Sequence, residues 1–138
     1  MIYSIDVRIE ARVNATEVTE RVADAVRNVF PNAEVQETAD GLLAETHTLD
    51  PFSEKLYEQE ILDTARREFT NNQRADGFHF ALKKQAALQG VINFAVGNPD
   101  ELGDIEVDVT VREPDVDAFV DHVAPPTEDG VPIEPEDR

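Results

Sequence analysis

The sequence predicts an α+β fold, a largely antiparallel sheet with helices on one face, in the order βαββαβββα. Three observations predict it. Two long segments, Tyr3 to Val13 and Ile105 to Arg112, alternate apolar and polar residues with period two, the pattern of a strand with one wet face. Val18, Val22, Ala25, Val26, Val29 and Phe30 recur at helical spacing and form one apolar stripe. Between two short apolar runs stands Asp40-Gly41, a two-residue hairpin signal, because both central positions of such a turn favour residues that tolerate positive φ.

Each element follows from its local chemistry. In the first strand Tyr3, Ile5, Val7, Ile9, Ala11 and Val13 face one way, and Ser4, Asp6, Arg8, Glu10 and Arg12 the other. Asn14, with Glu17 three residues on, reads as a capping box opening the first helix, which Pro31-Asn32 ends. Strands at 33–38 and 42–48 flank the hairpin turn. Asp50-Pro51 supplies a capping oxygen followed by a first-turn proline, so a second helix is expected from there to about Thr70, with Leu56, Ile61, Leu62, Ala65 and Phe69 inward. Asp76-Gly77 turns the chain into a strand from Phe78 to about Lys83, residues 84–90 read as a connector, and Val91 to Val96 reads as a further strand. Ile105, Val107, Val109 and Val111 mark the last strand. Pro114 opens a third helix carrying Val116, Phe119, Val120 and Val123. The expected organisation is a single domain over 1–126 and an acidic, Pro-rich flexible tail over 127–138, where no period survives.

Composition narrows the class of protein. The net charge is -18, from 30 acidic against 12 basic residues, yet 41% of residues are hydrophobic and periodically arranged, which argues against disorder and for adaptation to high salt. With no cysteine there is neither a disulfide nor a thiolate metal site, and a cytoplasmic location is expected. No apolar run reaches the 18 residues of a membrane span. His47, His79 and His122 lie on different elements and make no ligand pair, the serines Ser4 and Ser53 lack a nucleophile setting, and no glycine-rich phosphate loop occurs. Acid pairs carry no weight in so acidic a chain. The expectation is a protein without catalytic activity, cofactor or metal.

Charge distribution gives the one positive signal. Residues 66–90 hold Arg66, Arg67, Arg74, Lys83 and Lys84 against only Glu68 and Asp76, a reversal of sign that suits an anion, and Asn71, Asn72, Gln73 and Gln85 add donors. The alternative is that each cation serves a surface ion pair, such as Arg66 with Asp63. Five phosphate contacts on a single strand would give a salt slope of about -3.5, so ionic attraction alone would lose on the order of 10⁵ in affinity from tenth-molar to several-molar salt. Stacking would then have to contribute. Phe78, Phe80 and Phe94 could stack on bases only if outward, whereas their period sets them in the core.

Four segments carry a family resemblance: I-L-D-T-A-R (Ile61 to Arg66), L-K-K-Q-A-A-L-Q-G-V-I-N-F (Leu82 to Phe94), L-G-D-I-E-V (Leu102 to Val107) and H-V-A-P-P-T (His122 to Thr127). The chain resembles, from its first strand to Thr127, an archaeal family of uncharacterised proteins described as RNA-binding, with a fold similar to the ribosomal protein that binds 5S ribosomal RNA; the acidity suggests a haloarchaeal member. The resemblance implies an RNA partner, and of the matching positions Arg66, Lys84, Gln85 and Asn93 have suitable chemistry. Together, charge and resemblance make Arg66, Arg67, Arg74, Lys83, Lys84 and Gln85 the candidate RNA-binding residues. The alternative function is a protein-interaction module or homodimer, formed through a sheet edge or a helix face.

Overall fold

The computed structural model describes residues 2–97 and 102–133. Six strands form one antiparallel sheet: β1 (Ser4–Arg12), β2 (Glu34–Glu37), β3 (Gly41–Thr46), β4 (Gln73–Arg74), β5 (Gly77–Leu82) and β6 (Ile105–Glu113), in the spatial order β2-β3-β1-β6-β5-β4. Five helices accompany it: α1 (Thr19–Val29), α2 (Asp50–Glu58), α3 (Leu62–Asn71), α4 (Lys84–Leu88) and α5 (Val116–Val123). The α+β class and the antiparallel sheet are as the alternation requires. Register decides which face is wet: Ile5, Val7, Ile9 and Ala11 stand opposite Val111, Val109, Val107 and Ile105, all buried. Onto this face α1, α2, α3 and α5 turn their buried residues. All seven phenylalanines lie in that core, with Phe30, Phe52, Phe80, Phe69 and Phe78 forming a chain of rings 4.6 to 5.3 Å apart. None is free to stack on a base.

Several boundaries differ from the expectation, each for a physical reason. The helix expected over 50–70 is two. Glu60 adopts φ 58°, and Gln59 is engaged elsewhere: its amide donates to the Ile92 carbonyl (3.0 Å) and its oxygen accepts from the Ile92 N–H (2.8 Å), so the chain bends where no Gly or Pro announces it. The strand expected at 91–96 reduces to a bridge between Leu82 and Phe94, while residues expected to be a connector form α4. The sixth strand is instead β4, the short edge strand. Asn14 and Glu17 interact as the capping box implies, the Asn14 N–H donating to Glu17 Oε1 at 3.0 Å, but the helix begins later, at Thr19. α5 begins at Val116, two residues after Pro114, with Asp115 as its cap, whose Oδ1 accepts from the Ala118 N–H at 2.8 Å. Within the segment expected to be a flexible tail, β7 (Thr127–Glu128) and β8 (Val131–Pro132) pair as a hairpin, and Thr127 Oγ1 donates to Asp63; residues 134–138 lie outside those described.

Candidate nucleic-acid interface

The six residues expected to contact RNA do not form one patch. Arg66 is half-buried on α3, and its Nη1 donates to Asp121 Oδ1 (2.7 Å) and the Ala124 carbonyl (3.1 Å), bracing α3 against the end of α5. Its neighbour Arg67 is exposed and shares with Arg66, Thr70, Asn71, Pro126 and Thr127 the lining of a shallow hollow of about 370 Å³ in the helix layer, so these two of the six do come together. Arg74 belongs to the opposite, uncovered side of the sheet. There it reaches over Gly77 to donate to Asp76 (2.9 Å), Asp108 (2.6 Å) and Thr110 Oγ1 (3.0 Å), so two carboxylates already neutralise it. Those bonds outweigh the partial burial of the guanidinium, which alone would lower its pKa, and hold it above the usual value.

The two adjacent lysines sit at the far end of β5 and have different fates. Lys83 is half-buried, and Gln85 is exposed on α4. Lys84, by contrast, is only 6% exposed. Its ammonium donates to the carbonyls of Arg12 and Leu102 (2.7 Å) and to Glu17 Oε1 (3.0 Å), joining β1, the start of α1 and the approach to β6. Burial would push the Glu17 carboxyl up, but bonds from the Asn14 N–H, the Asn14 side chain and Lys84 prevail and hold it below the usual carboxylate value. Lys84 is therefore a clasp within the fold, inaccessible to a polyanion. Asn93 is exposed, and its backbone carbonyl accepts from the Lys83 N–H (2.9 Å) in the bridge region.

What sequence reasoning passed over is the uncovered face of the sheet. Arg8, Arg12, Arg74 and Arg112, four of the chain's nine arginines, share it with Asp6, Glu10, Glu45, Glu106 and Asp108. Ion pairs link Arg8 with Glu10 (3.0 Å), Arg112 with Asp6 (2.6 Å) and Arg74 with Asp108. Near the turn between β2 and β3, this face opens into a hollow of about 550 Å³ lined by Arg8, Glu10, Arg12, Thr38, Asp40, Asp104 and Glu106, among others. The alternation in β1 and β6 announced a wet face; it could not announce that the strands would bring these residues together, because the pairing register depends on contacts between distant segments. Among the described residues no helix is long and apolar enough to cross a membrane, and no group of three or more His, Cys, Asp or Glu residues is arranged to hold a metal ion.

Residues 6–112 match the model of a protein family described as RNA binding, and the chain belongs to that family. Its relatives include a UPF0201 protein of Sulfurisphaera tokodaii, 37% identical over 133 residues covering 91% of this chain and 90% of that protein. A UPF0200/UPF0201 protein of Archaeoglobus fulgidus is 33% identical over 98% of this chain, which spans only 42% of that longer protein. Among solved structures, the UPF0201 protein from Methanococcus jannaschii superposes with a TM-score of 0.86 at 32% identity, covering 94% of this chain and 99% of that one.

Proposed function

We propose that this chain is a non-enzymatic RNA-binding protein of an archaeal cytoplasm with high salt, and that RNA meets the uncovered face of the sheet. The observation that carries the reading is membership of a family described as RNA binding, matched over 6–112. That span holds nearly all of the wet face, from Asp6 on β1 to Arg112 on β6, and excludes Pro126 and Thr127, which the hollow beside Arg67 requires. The face interleaves arginines, which read guanine O6 and N7 or phosphate, with carboxylates, which accept from base amino groups. Such a surface recognises RNA by direct bonds. With all phenylalanines in the core, stacking on this face falls to guanidinium planes and to the exposed ring of His79. In molar salt, screening within about 3 Å removes the long-range repulsion between RNA and the acidic surface.

The test is retardation of a labelled structured RNA drawn from archaeal ribosomal RNA, in 2 M KCl, by the wild type and by Arg12→Glu/Arg112→Glu. The wild type retards the RNA and the double variant does not, while Arg67→Glu behaves as wild type. Loss of binding by Arg67→Glu alone would move the interface to the helix layer, and no retardation by the wild type would overturn the RNA reading. A homodimer through the same face is the competing outcome, read by light scattering on the same preparations.

A further inference from the structure

We propose that an unpaired base of the RNA lies on the uncovered face between the ring of His79 and the guanidinium of Arg8, enclosed by the two. This rests on the RNA reading and deepens it by naming the part of the RNA that is held and the side chains that hold it.

The ring is the first ground. Among the described residues the exposed side chains that carry a ring are His47, Tyr57, His79 and His122. Tyr57 belongs to α2, on the covered side of the sheet. His47 Nδ1 lies 3.1 Å from both the Ile5 carbonyl and Asp6 Oδ1, and His122 stacks on Tyr3 with ring centres 4.3 Å apart. The His79 ring, by contrast, has no hydrogen bond, ion pair or ring contact among the described residues. Its electrostatic neighbour is Glu106: partial burial and then Asp104 raise that carboxyl above the usual value, the His79 ring opposes the rise, and Glu10 adds to it. Side chains of a strand stand roughly perpendicular to the sheet, so this ring projects from the face with its flat side uncovered.

Register supplies the second wall. His79 stands opposite Asp108 on β6, and Asp108 opposite Arg8 on β1, so the three form one row across the sheet. Neighbouring strands lie about 4.8 Å apart, which sets Arg8 and His79 about 10 Å apart. A base in contact with a flat group on each side needs about 7–8 Å between the two planes, so it fits without any movement of the strands. The same row, with Glu10, Glu106 and Val107, lines a hollow of about 340 Å³. Two of its carboxylates are already matched: Asp108 holds Arg74 above Gly77, and Glu10 holds Arg8. What the hollow leaves unmatched is the ring, a π face that any base can cover. A guanidinium stacks through its plane while its edge stays bonded, so Arg8 keeps Glu10 and still covers the base. Arg12, farther along β1, has no ion-pair partner among the described residues and supplies the cation for a neighbouring phosphate.

The probe is a hairpin oligoribonucleotide whose loop of uridines contains one 2-aminopurine, a base whose emission is quenched by stacking. It is titrated with the full chain in about 1 M and about 3 M KCl, conditions in which long-range attraction is screened. The wild type is expected to bind and to quench the emission. His79→Ala should lose at least about fivefold in affinity and leave the emission bright, with an unchanged melting curve. The loss should be equal at both salts, because stacking releases no counterions. His79→Phe keeps a ring without the nitrogens and is expected to bind as the wild type does. Arg8→Lys keeps the charge without the plane and should lose about two- to fivefold. Wild-type affinity in His79→Ala, equal losses in His79→Ala and His79→Phe, or binding with undiminished emission each overturn the stack while RNA still binds. Full affinity in Arg8→Lys overturns the second wall. Retardation of the ribosomal RNA without binding of the hairpin overturns the stack alone, and binding of neither overturns the RNA reading with it.

Discussion

Replacing Lys84 with methionine keeps the apolar stem and deletes only the ammonium, so it measures the clasp. The ammonium donates to two carbonyls and to Glu17, at a site where its own side chain is 6% exposed and that of Glu17 is 13% exposed. Removing one partner of a buried ion pair costs roughly 3–5 kcal/mol, and a bond to a charged group contributes about 1.5–3 kcal/mol. Because Glu17 keeps both bonds from Asn14, the low end applies, about 3 kcal/mol. At about 2.1 cal/mol/K of unfolding entropy per residue, that shifts the melting midpoint of a chain this size down by about 10 °C. The assay is thermal unfolding followed by circular dichroism in 2 M KCl, where the pair is too enclosed for salt to screen. Lys83→Met, one position away, is the control and should stay within about 0.5 kcal/mol of wild type. Glu17→Gln in the Lys84→Met background should recover part of the loss, since it removes the carboxylate left without its cation. A Lys84→Met midpoint within 3 °C of the wild type, or strict additivity of the two changes, would refute the reasoning.

Two further predictions concern the sheet and its carboxylates. Gly77→Ala puts a methyl 1.9 Å from the Val109 carbonyl oxygen and 2.8 Å from Arg74 Nη2, so chemical denaturation should report a loss of about 1–3 kcal/mol; an unchanged midpoint would show that β5 and β6 can separate at no cost. The pH dependence should carry two opposite contributions. Glu17, held below 4.5 in the fold, contributes stability present above its unfolded pKa and lost as pH falls through the folded value. Glu106, raised above 4.5, contributes stability present below its unfolded pKa and lost as pH rises through the folded value. Melting midpoints between pH 3 and pH 8 should therefore show a shallower acid limb for Glu17→Gln and a smaller decline on the neutral side for Glu106→Gln. Identical profiles for wild type and both variants would count against these environments.

Local period made the two long strands, the first helix and the inward phenylalanines legible, because each is decided by residues near in sequence. The break at Gln59 to Ile61 was not, since its cause is a side chain bonding Ile92, thirty-three positions away. Lys84 shows the same limit at the site. Beside Lys83 in sequence it looks like half of an anion contact, yet the turn into α4 sends it inward to carbonyls of two other segments. Its environment is made by contacts that no window around it contains. The surroundings of Arg74 were legible only in part for a related reason: Asp76 was visible two positions on, but Asp108 arrives only through the pairing of β5 with β6.

The loss of the single basic patch makes an RNA role easier to reconcile with a charge of -18. Five phosphate contacts would give a salt slope of about -3.5 and forfeit on the order of 10⁵ in affinity at several-molar salt. If Arg12 alone met a phosphate, the slope would be about -0.7 and the same change would cost only about tenfold. Hydrogen bonds between carboxylates and base edges release no counterions from the RNA backbone, so that part of the affinity lies outside the slope. A face where arginines are already tied to acids is poor at attracting RNA from a distance and suited to reading it on contact. In molar salt only the second ability survives, which makes the interleaving of opposite charges a property recognition can use.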